Sequence, residues 1–274
     1  MPKISVIMAV YNTQDRRILG KAVRSIQNQT YKDWELIICD DGSTDHTWET
    51  LNEITRDDPR IFCIHHSKNH KAGYARNACI HAARGQYIAI MDADDLSDPK
   101  RLQKQYTYLK KHPNVAFVGC RGEFFIENVG DDGELYWFCR HPKPKDFLFS
   151  LPFVHASLMF RQEALRQTGG YDCSKQTVRV EDYELLMRLY QEGYDGKNLS
   201  EVLYYIRRDE NQYRRRKYRY RFHEAYIKYQ YFKKLGLMPK GMLYAAKPLL
   251  AGLVPVRLRT ALQKKYYMGN VRKK

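Results

Sequence analysis

Five short, almost wholly apolar runs punctuate the first 120 residues, and between them apolar residues recur at helical spacing. The runs are KISVIMAV (3–10), WELIIC (34–39), RIFCIH (60–65), QYIAIM (86–91) and VAFVGC (115–120). They are nearly continuous and rich in β-branched residues, so each suits a strand buried on both faces. Residues 16 to 29 put Ile18, Ala22, Val23 and Ile26 on one helical face. Gly42 allows a tight turn after the second run, and Ser43 or Asp45 can cap the helix that follows. Residues 71 to 84 carry Ala72, Ala75, Ala78 and Ala82 on a face able to pack closely on a sheet, with Gly85 as the stop. Asp98 and Pro99 supply an N-cap and a first-turn proline for a helix over 99–111. Strand and helix in this alternation demand an α/β fold, a mostly parallel central sheet flanked by helices.

Sheets of this kind take ligands beyond the carboxyl ends of their strands. Three polar signatures lie at those ends: VYNT after the first strand, DDGST after the second and DADD after the fourth. Residues two apart in an extended segment point the same way, so Asp92 and Asp94 can aim at one point. Two carboxylates that close call for a cation, and a hard ion such as Mg²⁺ or Mn²⁺, shared with substrate phosphates, suits them. The bland alternative is a solvated acidic turn that caps a helix, which is the expected role of Asp98. Further along, RVEDYELLMRLYQEGY (179–194) makes an apolar stripe of Leu185, Leu186, Leu189 and Tyr190 behind Glu181 and Asp182. Carboxylates in a first turn often only complement the helix dipole. If that helix start faces the sheet rim, one of them is placed to act as a general base.

Several classes lose their support. No GxxxxGK[ST], GxGxxG or HExxH occurs, and the DADD stretch has Leu96 and Ser97 where an EF-hand loop needs an oxygen ligand and Gly. The six cysteines are scattered singly, against a zinc site or a disulfide framework. The start, MPKISVIMAVYN, lacks the pattern of a secretory leader, and no run of 18 uncharged apolar residues exists, so neither export nor a membrane span is expected.

Together the motifs resemble the family-2 inverting glycosyltransferases with the GT-A (nucleotide-diphospho-sugar transferase) fold. The likeness is carried by PKISVIMAVYN, QTYKDWELIICDDGSTDHT, NHKAGYARNACIHAARGQYIAIMDADD, GGYD and VEDYELLMRLYQEG, five ordered blocks between about Pro2 and Arg207. The later AAKPLLAGLVP resembles bacterial exopolysaccharide and capsule glycosyltransferases of the amylovoran and biofilm-matrix type. The resemblance implies metal-dependent transfer of a sugar, with inversion, from a UDP-sugar donor. The acceptor would be a hydroxyl of a growing glycan carried on a polyprenyl diphosphate. It puts Ala9 and Tyr11 beside the uracil, Asp41 on its ring and Arg76 near the nucleotide. Asp92 would meet the ribose or metal-bound water, and Asp94 would ligate Mn²⁺ or Mg²⁺. Asp182 would be the base, supported by Glu181. His155, Gly169 and Gly170 fall on the less sharply defined acceptor side, and His155 reads equally well as a buried, hydrogen-bonded core histidine. Residues 1–206 then form the catalytic domain, with 1–120 as its nucleotide-sugar half and 121–206 as its acceptor half.

The net charge of +16 belongs to the rest. Residues 207–274 hold 20 Lys+Arg against 3 Asp+Glu, whereas 1–206 hold 27 against 28. Residues 211–236 read as a long helix dense in Arg, Lys and Tyr, followed by short apolar pieces separated by Pro248 and Pro255. Such a basic helical appendage can lie on an anionic membrane surface, its tyrosines at the interface. The expected location is cytoplasmic, peripheral on the inner face of the bacterial cell membrane. Alternatives are a helical appendage packed on the catalytic domain, a non-catalytic interaction protein, or nucleic-acid binding by the basic tail. The near-neutral 1–206 and the carboxylate-rich rim argue against nucleic acid.

Overall fold

The structure, a computed structural model, describes residues 1–13, 15–208 and 218–253. The expected alternation is present as β1 (Ile4–Val10), α1 (Arg16–Gln27), β2 (Trp34–Asp40), α2 (Thr47–Thr55), β3 (Ile61–His65), α3 (Ala72–Ala82) and β4 (Tyr87–Asp92). A two-residue β5 (Leu96–Ser97), α4 (Arg101–Lys111), β6 (Phe117–Phe125), β7 (Met159–Arg161), α5 (Gln162–Gln167), α6 (Glu181–Gln191) and β8 (Gly196–Arg207) complete the sheet and its cover. The last described elements are α7 (Arg219–Lys234) and α8 (Lys240–Leu253).

Eight strands form one sheet in the order β3-β2-β1-β4-β7-β6-β8-β5. The first four are mutually parallel, as the buried apolar runs require. Beyond β4 the sheet is mixed, because β7 runs antiparallel to both β4 and β6, and β5 runs antiparallel to β8. The apolar segment VHASLMF (154–160) gives only Met159 and Phe160 to β7. Its beginning, His155–Ser157, winds into a 3₁₀ turn instead.

Two cores lie on the two faces of the sheet, and the strand period of two sorts side chains between them. Val6, Met8, Leu36, Ile38, Ala89 and Met91 join α1, α2 and α4 on one face. Ile7, Ile37, Cys39, Ile88 and Ile90 join α3, α5 and α6 on the other. The second set continues through Ala9 in β1 and Asp92 at the end of β4 to Asp41 just beyond β2, all on the α3 and α6 side.

The α7–α8 hairpin packs on this domain rather than standing off it. Ile227, Tyr231 and Phe232 of α7 and Ala245 of α8 are buried in the α6-side core. Pro248, expected to separate apolar pieces, lies within α8. Some of the basic segment before Tyr218, and all of Pro255 with the C-terminal residues, lie outside the described residues. Among the described residues no helix is long and apolar enough to cross a membrane.

Candidate active site

The carboxyl ends of β1, β2 and β4 meet at the rim, with Ala9 opposite both Cys39 and Asp92 in register. Asp40 and Asp41 turn to opposite faces, as consecutive strand residues must. Asp40 accepts from His65 Nδ1 at 2.8 Å and from the Ser43 hydroxyl. Asp41 is buried and accepts from the backbone N–H groups of His70 (3.0 Å) and Lys71 (2.7 Å), with His66 Nδ1 at 3.1 Å. One carboxylate therefore fastens the loop that leads into α3. Gly42, at φ +68, makes the turn possible, since a Cβ there would sit 2.4 Å from the backbone carbonyl carbon of Lys68. Tyr11, 45% exposed, stands at the same edge beside the half-buried Ala9.

Arg76 projects from α3 to Asp92, with a guanidinium nitrogen 2.9 Å from its carboxylate. Burial, the largest single influence, works against the charge of Arg76, but Asp92, Tyr171 and Glu181 together outweigh it, so the guanidinium stays charged above the ordinary arginine range. Strand β4 ends at Asp92, and the period of two ends with it. Asp94 is consequently exposed on the turn, its carbonyl accepting from Arg207 Nε at 3.0 Å, while Asp95 folds inward. Asp95 Oδ1 accepts from the Arg207 backbone N–H at 2.8 Å. Burial pushes the Asp95 carboxyl well above the usual carboxylate range, and the charges of Asp94 and Asp92 push the same way.

The first turn of α6 brings Glu181 and Asp182 to the same place. A cleft of about 320 Å³ is lined by Arg76, Asp92 and Asp95 on the rim side and by Arg179, Glu181 and Asp182 on the α6 side. Tyr136, Leu151, Phe153, Val154 and Ile206 form its apolar wall. His155 lines it too, with Nε2 2.8 Å from the Tyr171 hydroxyl. Burial, with the Arg76 charge adding to it, holds His155 well below the usual histidine range, so the ring is neutral. Gly169 and Gly170 do not line the cleft; they build the turn that positions Tyr171. Gly170 has φ +71, and a Cβ there would fall 2.6 Å from Asn77 Oδ1. That oxygen accepts from the Tyr171 N–H at 2.8 Å, and Asn77 Nδ2 donates to the Tyr171 carbonyl at 2.8 Å. The glycine turn thus clasps α3 one residue beyond Arg76.

A buried network behind α6 ties these elements to the C-terminal hairpin. Glu184 is 3% exposed and holds Arg188 through both carboxylate oxygens, at 2.9 Å each. Its Oε1 also accepts from the Tyr231 hydroxyl of α7. Arg188 in turn donates to the carbonyls of Thr168 and Gly170. Helix α7 and the glycine turn are therefore both tied to α6 through the Glu184–Arg188 pair.

A hard divalent ion fits the donor set at the β4 end, where Asp92, Asp94 and Asp95 offer only oxygens and crowd negative charge that a cation would relieve. Among the described residues no three His, Cys, Asp or Glu side chains gather to hold a metal unaided. Carboxylates sharing an ion with substrate phosphates need no such trio.

Residues 5–169 match the family described as Glycosyl transferase family 2. The chain belongs to that family. EpsE of Bacillus subtilis (strain 168), named as a glycosyltransferase, is 37% identical over 269 residues, covering 98% of this chain and 95% of its own. The amylovoran biosynthesis glycosyltransferase AmsE of Erwinia amylovora is 25% identical over 97% of this chain and 99% of its own. The solved structure of S. aureus TarS 1–349 with UDP-GlcNAc superposes with a TM-score of 0.69 at 16% identity, covering 93% of this chain and 77% of that one. The mannosyltransferase PcManGT from Pyrobaculum calidifontis, solved with GDP-Man and Mn²⁺, gives 0.62 at 20% identity over 99% and 81%. The fold is GT-A, and the chain is a glycosyltransferase.

In this glycosyltransferase, sequence reasoning missed Asp95, Arg179 and the apolar wall of Tyr136, Leu151, Phe153 and Ile206. Asp95 was legible in DADD, one residue beyond the pair singled out. Arg179 sits two residues before the ED pair, where only its unusual backbone marks it. The wall residues carry no motif; the antiparallel return of β7 and the length of β8 bring them to the cleft.

Proposed function

We propose that this glycosyltransferase moves a sugar from a UDP-sugar to a hydroxyl of a lipid-linked glycan during exopolysaccharide synthesis, on the inner surface of a bacterial membrane. The observation that carries the reading is the cleft itself. Donor-side Arg76 and Asp92, from α3 and β4, face Glu181 and Asp182 of α6 across about 320 Å³. That space suits a sugar ring between a leaving diphosphate and an incoming alcohol.

An acceptor hydroxyl has a pKa far above neutrality and needs a carboxylate to take its proton as it attacks. Asp182 does this, at the start of α6. Glu181 supports it; its buried Oε2 has no hydrogen-bond partner among the described residues and can accept from a substrate donor. Direct displacement inverts the anomeric carbon and needs no nucleophile from the protein. Asp41, Tyr11 and Ala9 hold the uracil at the β1–β2 edge, and Arg76 steadies the nucleotide while paired to Asp92. Asp92 and Asp94, with Asp95 behind them, would hold Mn²⁺ or Mg²⁺. Such an ion, when bound, neutralises charge on the departing diphosphate.

The membrane reading rests on the hairpin. Phe222, Tyr226 and Tyr229 of α7 and Met242, Leu243 and Leu250 of α8 are exposed in a chain segment rich in Lys and Arg. An apolar face among cations fits an anionic lipid surface, where a lipid-linked acceptor would also reside. AmsE, named for amylovoran biosynthesis, supports the polysaccharide context. The bacterial WfaP, named for transfer from UDP-Glc onto a diphosphoundecaprenol-linked GlcNAc and 29% identical over 76% of this chain, supports the donor and acceptor classes.

A panel of nucleotide sugars screened with Mn²⁺ for thermal stabilisation tests the proposal. One or more UDP-sugars should raise the melting temperature and none should do so for Asp94→Ala; stabilisation by no nucleotide sugar would refute it.

A further inference from the structure

Arg179 is a lining residue to which the described residues supply no polar partner. Among the described residues its guanidinium makes no hydrogen bond or ion pair, yet the side chain lines the cleft beside Glu181 and Asp182. Its backbone has φ +71, a left-handed conformation that costs any residue with a Cβ. The conformation is imposed by the loop before α6. There the buried Thr177 hydroxyl donates to the Asp172 carbonyl at 2.7 Å, and the Val180 N–H donates to the Thr177 carbonyl at 2.8 Å. Glycine would occupy this position without strain, so the arginine here costs the fold stability.

A second observation points to what it binds. Arg76, 9% exposed, reaches the same cleft from α3, and its buried Nε–H has no partner among the described residues. Arg76 commits one terminal nitrogen to Asp92 and leaves that donor unspent. A cleft bearing Asp92, Asp95, Glu181 and Asp182 repels anionic substrates unless cations offset the carboxylates. Guanidinium groups arriving from two elements match the several oxygens of a diphosphate, which a single arginine fork does not exhaust.

We infer that Arg179 binds phosphate oxygens of a diphosphate-bearing substrate from the α6 side, while Arg76 approaches from α3. The inference rests on the reading of the cleft as the transfer site. A diphosphate reaches that cleft from the nucleotide sugar or from a lipid-linked acceptor, and the residue serves whichever lies against α6.

Calorimetric titration of the full chain distinguishes them. UDP with Mn²⁺ is one probe, and farnesyl diphosphate added at saturating UDP is the other. Arg179→Gln should weaken one of the two by about tenfold or more, the scale of a lost charge-assisted contact, with Arg179→Lys recovering some of it. A loss confined to UDP assigns the donor's diphosphate; a loss confined to farnesyl diphosphate assigns the acceptor's. Arg179→Gly should lose the same affinity while melting no lower than wild type, because it relieves the positive φ. Unchanged UDP affinity, together with farnesyl diphosphate binding that is unchanged or absent, overturns the inference. Asp182→Asn should keep both affinities. If it also keeps turnover, the base assignment fails while the Arg179 result stands.

Discussion

Replacing Glu184 by Gln tests whether the C-terminal hairpin belongs to the catalytic unit. The carboxylate is almost wholly enclosed and receives three donors, two from Arg188 and one from Tyr231. Burial, with Glu184 as the next cause, raises the Tyr231 hydroxyl well above the usual tyrosine range, so it remains a donor across the physiological range. Glutamine keeps the shape and one acceptor but removes the charge. Breaking a buried ion pair costs about 3–5 kcal/mol when the surviving charge is left alone. Here Arg188 keeps the carbonyls of Thr168 and Gly170 and is 17% exposed, which lowers the expectation to about 2–3 kcal/mol. For a chain of this size that is a fall of roughly 3–5 °C in melting temperature, read by calorimetry. Turnover should fall further than UDP affinity, since α6 carries Asp182 and Arg188 braces Gly170. A cycle with Tyr231→Phe should give a coupling of about 1 kcal/mol. A variant that melts with the wild type and turns over normally would refute the argument, leaving α7 as a passive cover.

Asp182→Asn should bind UDP and Mn²⁺ nearly as wild type yet lose transfer by about 10²-fold or more in a steady-state assay, and wild-type turnover would move the base elsewhere. Asp95 has a raised pKa in the fold, so its ionisation disfavours the folded state and stability declines as pH rises above about 4, the unfolded value, until the elevated pKa is passed. Metal-free Asp95→Asn should therefore melt higher than wild type near neutrality and equally at low pH; a constant difference across pH would discard the assignment. Gly170→Ala places a Cβ against Asn77 in a left-handed residue and should cost about 1–3 kcal/mol in denaturant unfolding, whereas a silent substitution would mean that the turn yields. Leu243→Glu with Leu250→Glu alters only exposed positions and should abolish co-sedimentation with anionic vesicles at unchanged melting temperature; retained binding would remove the hairpin from the lipid surface.

Much of the donor side was legible in the chain. The apolar runs set four strands, and the helical face of small residues predicted α3 lying close on that sheet. Ala9, Asp41 and Arg76 were singled out only by the family resemblance, and the fold brings them to the rim that Asp92 ends. Legibility stopped where the period stopped. Asp94 and Asp95 lie on a turn, and only the folded turn decides that Asp95 is enclosed and Asp94 exposed. The tail was read as basic and apolar, which it is. Its packing was one of several readings left open, because a helix dense in Arg, Lys and Tyr carries no mark of what it will cover.

The sequence by itself determined the alternation of strand and helix and the carboxylates gathered at the strand-end rim, because these depend on spacing along the chain and on side-chain type. Only the tertiary structure brought α6, some 90 residues downstream of Asp92, to the same cleft and turned Arg179 into it. It also joined Tyr231 to Glu184. Such contacts depend on how layers stack across the sheet, and no local period records that distance.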